Sequence, residues 1–219
     1  MADDVSVKFR ARRVRMPLAV AATAVALALG ASACGTGGES KAGPIRFNAA
    51  PCWGLLEEDD ITSILEEGKA FEVKSTDLGK VVKERRTSFC SGLQRGGTAG
   101  FSAVAEWRVQ NPFKNPNPVY AWEPITTAEP QPRADWGAGA ETWGWGTRVA
   151  VRCDAAPDVG LQDYWKSQKF LSVRVTGKVA PGVEAQQGER AIADMAIKLT
   201  RELARKVGCT NDLHLPASA

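Results

Sequence analysis

The pattern of apolar and polar positions is clearest near the end of the chain. Ile192, Met195, Ala196, Leu199, Leu203 and Val207 recur at three- and four-residue spacing, the stripe of a helix packed by one face. Glu189, Arg190, Lys198, Arg201, Glu202, Arg205 and Lys206 line the other side. Basic residues crowd the last turn, where the helix dipole favours them, and Gly208 is the natural stop. The spacing predicts a helix of roughly twenty residues.

Upstream the period shortens to two. Phe101, Ala103, Ala105, Trp107 and Val109 alternate with Ser102, Val104, Glu106 and Arg108, as in a half-buried strand, with Trp107 on the core side. Residues 147–153 alternate through Val149 and Val151, and residues 170–176 through Leu171, Val173 and Val175. Ser88 to Gln94 reads as a further strand around Cys90. Phe71 and Val73 form another, followed by a reversal at Asp77 to Gly79. Before these, Glu57 to Asp60 supply an acidic first turn to Ile61, Ile64 and Leu65, and Gly68 ends that short helix. Grouped strands with helices at the ends predict an α+β fold. Its mostly antiparallel sheet carries a short N-terminal helix and a long C-terminal helix packed on it.

Residues 111–146 break the pattern. Six prolines fall there, with Tyr120, Trp122, Trp136, Trp143 and Trp145 among many glycines. Proline lacks the donor a central strand needs, so loop, polyproline or edge strand is expected over most of the segment. Exposed tryptophan and tyrosine offer contact area with a polar handle. These five aromatics are therefore the candidate ligand-binding residues. Equally, Trp143 and Trp145, two apart, could face one side of a strand and pack on the core.

The beginning of the chain carries a different pattern. Lys8, Arg10, Arg12, Arg13 and Arg15 precede an uncharged run from Pro17 to Ala33, the layout of a secretory signal over residues 1–33. An uncleaved anchor is the alternative, but a run of ~17 residues rich in alanine is short for a span. Ala31-Ser32-Ala33-Cys34 fits the ordinary signal peptidase. It also resembles a lipobox, with Ala31 where leucine is usual, and so makes Cys34 a candidate acylation site. Gly35 to Gly43 then forms a loose tether within residues 34–46. Lipidation explains a cysteine that would otherwise be a spare secreted thiol. The globular domain is expected over 47–216.

The signal also accounts for the net charge. Residues 1–33 hold five basic and two acidic residues, leaving 23 of each sign beyond them. A neutral domain argues against a nucleic-acid partner. The run Lys83-Glu84-Arg85-Arg86 reads as a solvated strand edge or turn. Cys52, Cys90, Cys153 and Cys209 remain, an even set that reads as two disulfides in an exported chain. With one histidine and no Cys-x-x-Cys, a metal centre is not expected.

These pieces together resemble small lipoproteins of actinobacteria. Cys34, Pro51-Cys52-Trp53-Gly54-Leu55-Leu56, Val149 to Cys153, Leu171 to Val175 and Ala191 to Cys209 carry the resemblance. It implies an envelope location and a compact α+β fold, and brings no catalytic residues. Four cysteines allow three connectivities. Our expectation is Cys52 with Cys90 and Cys153 with Cys209, the second pair pinning the long helix to a strand.

Catalytic constellations are sparse. His214, the sole imidazole, sits in the final Leu-His-Leu-Pro segment and reads as an ordinary tail residue. Gly100-Phe-Ser102-Ala-Val lacks the second glycine of a nucleophile elbow. No phosphate loop, calcium loop or His-Glu-x-x-His is present. The sequence therefore predicts a non-enzymatic, cofactor-free lipoprotein. It would be held to the bilayer through acylated Cys34 and bind an envelope protein, peptide or glycan. An envelope hydrolase with paired carboxylates, or a spacer without ligand, are the alternatives; Glu57 to Asp60 are explained by the helix start.

Overall fold

The computed structural model describes residues 45–114, 131–154 and 167–219, all within the compact unit Lys41–Ala219. Cys34, Tyr120 and Trp122 lie outside the described residues.

Eight strands form one sheet: β1 (Arg46–Phe47), β2 (Ala70–Ser75), β3 (Ser88–Gln94), β4 (Gly100–Arg108), β5 (Gln131–Arg133), β6 (Gly139–Trp143), β7 (Gly146–Arg152) and β8 (Phe170–Lys178). Their order is β1-β2-β3-β4-β8-β7-β6-β5. Only β1 and β2 run parallel among these pairs; every other pair is antiparallel. The mostly antiparallel sheet and the long C-terminal helix expected of the alternating and helical stretches are both present.

Register places one apolar row across the sheet. Phe101, Ala103, Ala105 and Trp107 of β4 stand beside Val175, Val173 and Leu171 of β8, and these beside Thr147, Val149 and Val151 of β7. All are buried. Against β7 and β8 lies the long helix, here α3, since α1 (Glu58–Thr62) and α2 (Gly79–Val82) precede it. α3 spans Ala185–Val207 and ends on Gly208 with φ 81°, a left-handed cap that glycine adopts without steric cost. Ala193, Ile197 and Ala204 are buried with the expected stripe, so the buried side is wider than a 3-4-7 pattern implies. Leu213 and Leu215 of the tail also pack on the core.

The disulfides are Cys52–Cys90 and Cys153–Cys209, with Cα separations of 5.2 and 4.9 Å. The first fastens a 3-10 turn (Cys52–Gly54) to β3, and the second joins the chain just past α3 to the chain just past β7. Two such bridges fit an extracytoplasmic protein.

Three local differences from the expected pattern are instructive. α1 has only five residues; Ile64 and Leu65 fall beyond it, held by tighter bonds to the carbonyls of Ile61 and Thr62. The segment expected as loop or edge supplies two strands. β5, with Pro132 at its middle, is the sheet edge, but β6 is paired on both sides. Alternation there is hidden by glycine and alanine, which carry little hydrophobic signal. Arg85, expected in a solvated run, is buried with φ 51°. Its guanidinium lies 4.7 Å over the Trp107 ring and donates to the Gln168 carbonyl at 2.9 Å. A buried charge needs such partners. Trp107 is core as expected, and its indole N–H donates to the Val81 carbonyl at 2.9 Å.

Candidate functional site

Two of the candidate aromatics come together at one groove. The chain leaves β5 through Ala134 and Asp135 and turns at Trp136, where the Gly139 N–H donates to the Trp136 carbonyl at 2.9 Å. Gly137 has φ 63°, and a Cβ there would meet the Ala150 carbonyl oxygen at 2.7 Å, so only glycine lets this turn sit against β7. Trp136 is thereby tucked inward and belongs to the core cluster, while the Arg133 guanidinium stands 5.6 Å from its ring. Trp143, the last residue of β6, lies across Gly146, where a Cβ would come within 2.6 Å of the indole. Both indoles are almost fully buried, 6% and 7% exposed.

Their remaining edges line a groove of about 480 Å³ at the end of the β6–β7 hairpin. The exposed side chains of Gln186, Glu189 and Arg190 on the first turns of α3 also line it, with Arg133 from β5. Two nearly buried indoles thus border a chiefly polar lining that carries both hydrogen-bond donors and acceptors. That combination suits a ligand with an apolar face and polar substituents, such as a sugar ring or a peptide backbone.

Trp145 goes elsewhere. It sits in the reversal between β6 and β7, not on a strand, so the two-residue spacing does not put it beside Trp143 on one face. Its ring occupies the space beside Gly188, where a Cβ would come within 2.6 Å of it, and its carbonyl accepts from the Gly177 N–H at 2.8 Å. It locks the hairpin onto α3. The sequence signals missed the groove's second wall: Glu189 and Arg190 read as the solvated side of a helix, and Gln186 carried no signal.

A second groove, about 530 Å³, runs between α1, α3 and the C-terminal tail, with Asp59, Asp60, Asp194, Lys198 and Glu202 among its lining. Asp60, Asp194 and Glu202 each have a structural partner. Asp60 accepts from the Glu57 N–H at 2.6 Å, as the third residue of a capping box, and from Lys198 Nζ at 2.7 Å. The Asp60 hydrogen bond raises the Lys198 pKa above the ordinary lysine value, against the opposing effect of burial. Asp194 accepts from the Ala219 N–H at 2.7 Å, and Glu202 from Arg205 at 2.9 Å. Glu57 and Asp60, the two ends of the acidic run, are thus engaged in the cap at the helix start.

The tail around His214 is tied down rather than loose. Its carbonyl accepts from the Gly137 N–H at 3.0 Å, and Arg201 donates to the Pro216 carbonyl at 2.6 Å. The imidazole is exposed, with Nδ1 3.4 Å from an Asp212 carboxylate oxygen.

Among the described residues no group of three or more metal-ligating side chains is gathered, and no helix is long and apolar enough to cross a membrane. No family model matches the chain, and no curated protein or solved structure matches it either.

Proposed function

We propose that the protein is a non-enzymatic, lipid-anchored module that binds a cell-envelope peptide, protein or glycan through the Trp136–Trp143 groove. The observation that carries this reading is the groove itself. Two indole edges lie beside the exposed polar side chains of Arg133, Gln186, Glu189 and Arg190. The export signal, Cys34 and the glycine-rich tether support a location on the outer face of the cytoplasmic membrane, with free secretion as the alternative, and the two disulfides fit that side of it. A non-enzymatic role is supported by the sparse catalytic vocabulary of the sequence.

Intact-mass analysis of the mature N-terminal peptide tests the anchor. Diacyl or triacyl mass on Cys34 is expected; an unmodified Cys34 terminus would mean free secretion, and a peptide retaining residues 1–33 a permanent anchor. Tryptophan fluorescence titrated with soluble cell-wall glycan fragments and with envelope protein extract tests the groove. A saturable change is expected, abolished in Arg133→Ala and Glu189→Ala, both exposed positions that leave the core intact. Fluorescence indifferent to every fraction would leave the spacer reading in its place. Cell-wall hydrolysis that disappears on changing two neighbouring carboxylates would make it an enzyme.

A further inference from the structure

α3 covers one face of the sheet, against β7 and β8. On β3, Cys90, Gly92 and Gln94 turn to the buried side. Phe89 and Leu93 point the other way and stand 54% and 61% exposed. They lie four residues, and so about 13 Å, apart along the strand. Their neighbours in register do not cover them. Phe89 stands beside Val104 of β4, and Leu93 beside Gly100, where a Cβ would be 3.3 Å from a Leu93 methyl carbon. Single exposed apolar side chains are ordinary; two on one open face, ringed by one sign of charge, are not.

That ring is basic. Arg46, Lys74, Arg95 and Lys178 are all exposed. Arg46 pairs in register with Ala70, Lys74 with Ser91 and Lys178 with Gly100, which sets them on this face. Glu72, opposite Leu93, lies between Lys74 at 3.0 Å and Arg95 at 3.4 Å. Four cations thus stand around one carboxylate. Farther across the face the balance differs. Arg148 of β7 faces Arg174 of β8, but Glu106 holds Arg108 and Glu141 lies beside Arg148, and Arg108 and Arg174 have further interactions within the protein. The excess basic charge therefore sits at the β1–β3 end. The chain also arrives there: β1 is the outermost strand on that side, and Arg46 is its first residue. Residues 35–45, eleven in all, separate Arg46 from Cys34, a reach of at most roughly 40 Å.

We propose that the β1–β3 end of this face docks on an anionic phospholipid bilayer. Phe89 and Leu93 enter the headgroup boundary, and Arg46, Lys74, Arg95 and Lys178 meet the headgroups. The inference rests on the anchor at Cys34, which keeps the β1 edge within the tether's reach of the membrane. An aromatic ring and a leucine gain by leaving water at that depth. Each basic side chain near an anionic surface adds attraction. The tryptophan groove, built from β5, β6 and α3, lies toward the opposite end of the strand order. Docking this way leaves it open to the exterior.

The test reads the face separately from the anchor. In the first arm, acylated protein on vesicles of phosphatidylglycerol in phosphatidylcholine carries a nitroxide at Leu93→Cys or, on α3, at Lys206→Cys, both exposed positions. The label at 93 should be reached by oxygen and shielded from a water-soluble nickel chelate, and the label at 206 the reverse. In the second arm, the mature chain with Cys34→Ser, which cannot be acylated, should float with these vesicles and not with phosphatidylcholine alone. Its partitioning should fall about fivefold in Lys178→Gln and about tenfold in Leu93→Ser. Equal accessibility of the two labels, or flotation that is absent or indifferent to both variants, would overturn the proposal. So would a label at 93 already shielded before vesicles are added, which would give the face to a second copy of the chain. If mass analysis finds Cys34 unmodified, the anchor fails and the second arm alone decides the docking, so the two failures are told apart.

Discussion

The two faces of the sheet are built from the same strands and obey opposite rules. On β8, Leu171, Val173 and Val175 turn inward and are buried, while Arg174 and Thr176 turn outward. The inner face is fastened three times: by the packing of α3, by Cys52–Cys90 through β3, and by Cys153–Cys209 at the end of α3. The outer face has cross-strand arginines, and Phe89 and Leu93 stand 54% and 61% exposed. Burial dictates residue type on one side only. On the other, residues unfavourable for stability can persist.

The comparison breaks most sharply at the disulfide that holds the helix to its face. Replacing both Cys153 and Cys209 by alanine opens a closure spanning 56 residues. The loss expected from the chain-entropy model is about 4 kcal/mol, read as a lower denaturation midpoint with the β-sheet signal retained below it. Next comes a matched pair of leucines. Leu171→Ala on the inner face removes a fully buried side chain and should cost about 3 kcal/mol. Leu93→Ala on the outer face should change stability by less than about 0.5 kcal/mol. Equal effects in urea unfolding would mean the outer face is covered too.

Gly188→Ala tests how closely the hairpin and helix meet. The new Cβ would fall 2.6 Å from the Trp145 ring and 2.7 Å from Val179, so an overpacking cost of about 2 kcal/mol is expected. Trp145→Ala in the same chain should recover part of the strain, though not the lost packing. A smaller effect than these belongs to Lys198, on the edge of the inner layer, although not smaller than that of Leu93→Ala. Its side chain is 32% exposed, so Lys198→Ala should cost less than about 1 kcal/mol. Because the Asp60 hydrogen bond raises the folded-state pKa, that stabilisation is fully present below the ordinary lysine range. It is lost as pH rises through the raised value. Melting curves of both proteins should therefore converge at strongly alkaline pH.

What the sequence made legible follows the same division. Inner-face elements are periodic because burial is periodic: α3, β4, β7 and β8 stand where apolar spacing places them, and the cysteines join as expected. β6 was hidden because Gly139 and Ala140 give no alternation, and its pairing with β7 arises only in three dimensions. Arg85 deceived for a related reason. A basic run reads as solvated, yet its inward turn depends on Trp107 and Gln168 being brought to it from distant parts of the chain. At the candidate site, aromatic composition pointed to Trp136 and Trp143 but could not separate them from Trp145. One glycine on α3 decides that separation. The arginines of the outer face were simply the polar half of an alternation until register set Arg148 against Arg174.

The ends of the sheet have a consequence for crowding. β1 contributes two residues, and β5 three with a donor-less Pro132 at its centre. Exposed edges otherwise serve as templates on which a neighbouring chain can add its own strand. Among the described residues, the outermost strands themselves therefore offer a neighbouring chain only a short ladder to extend.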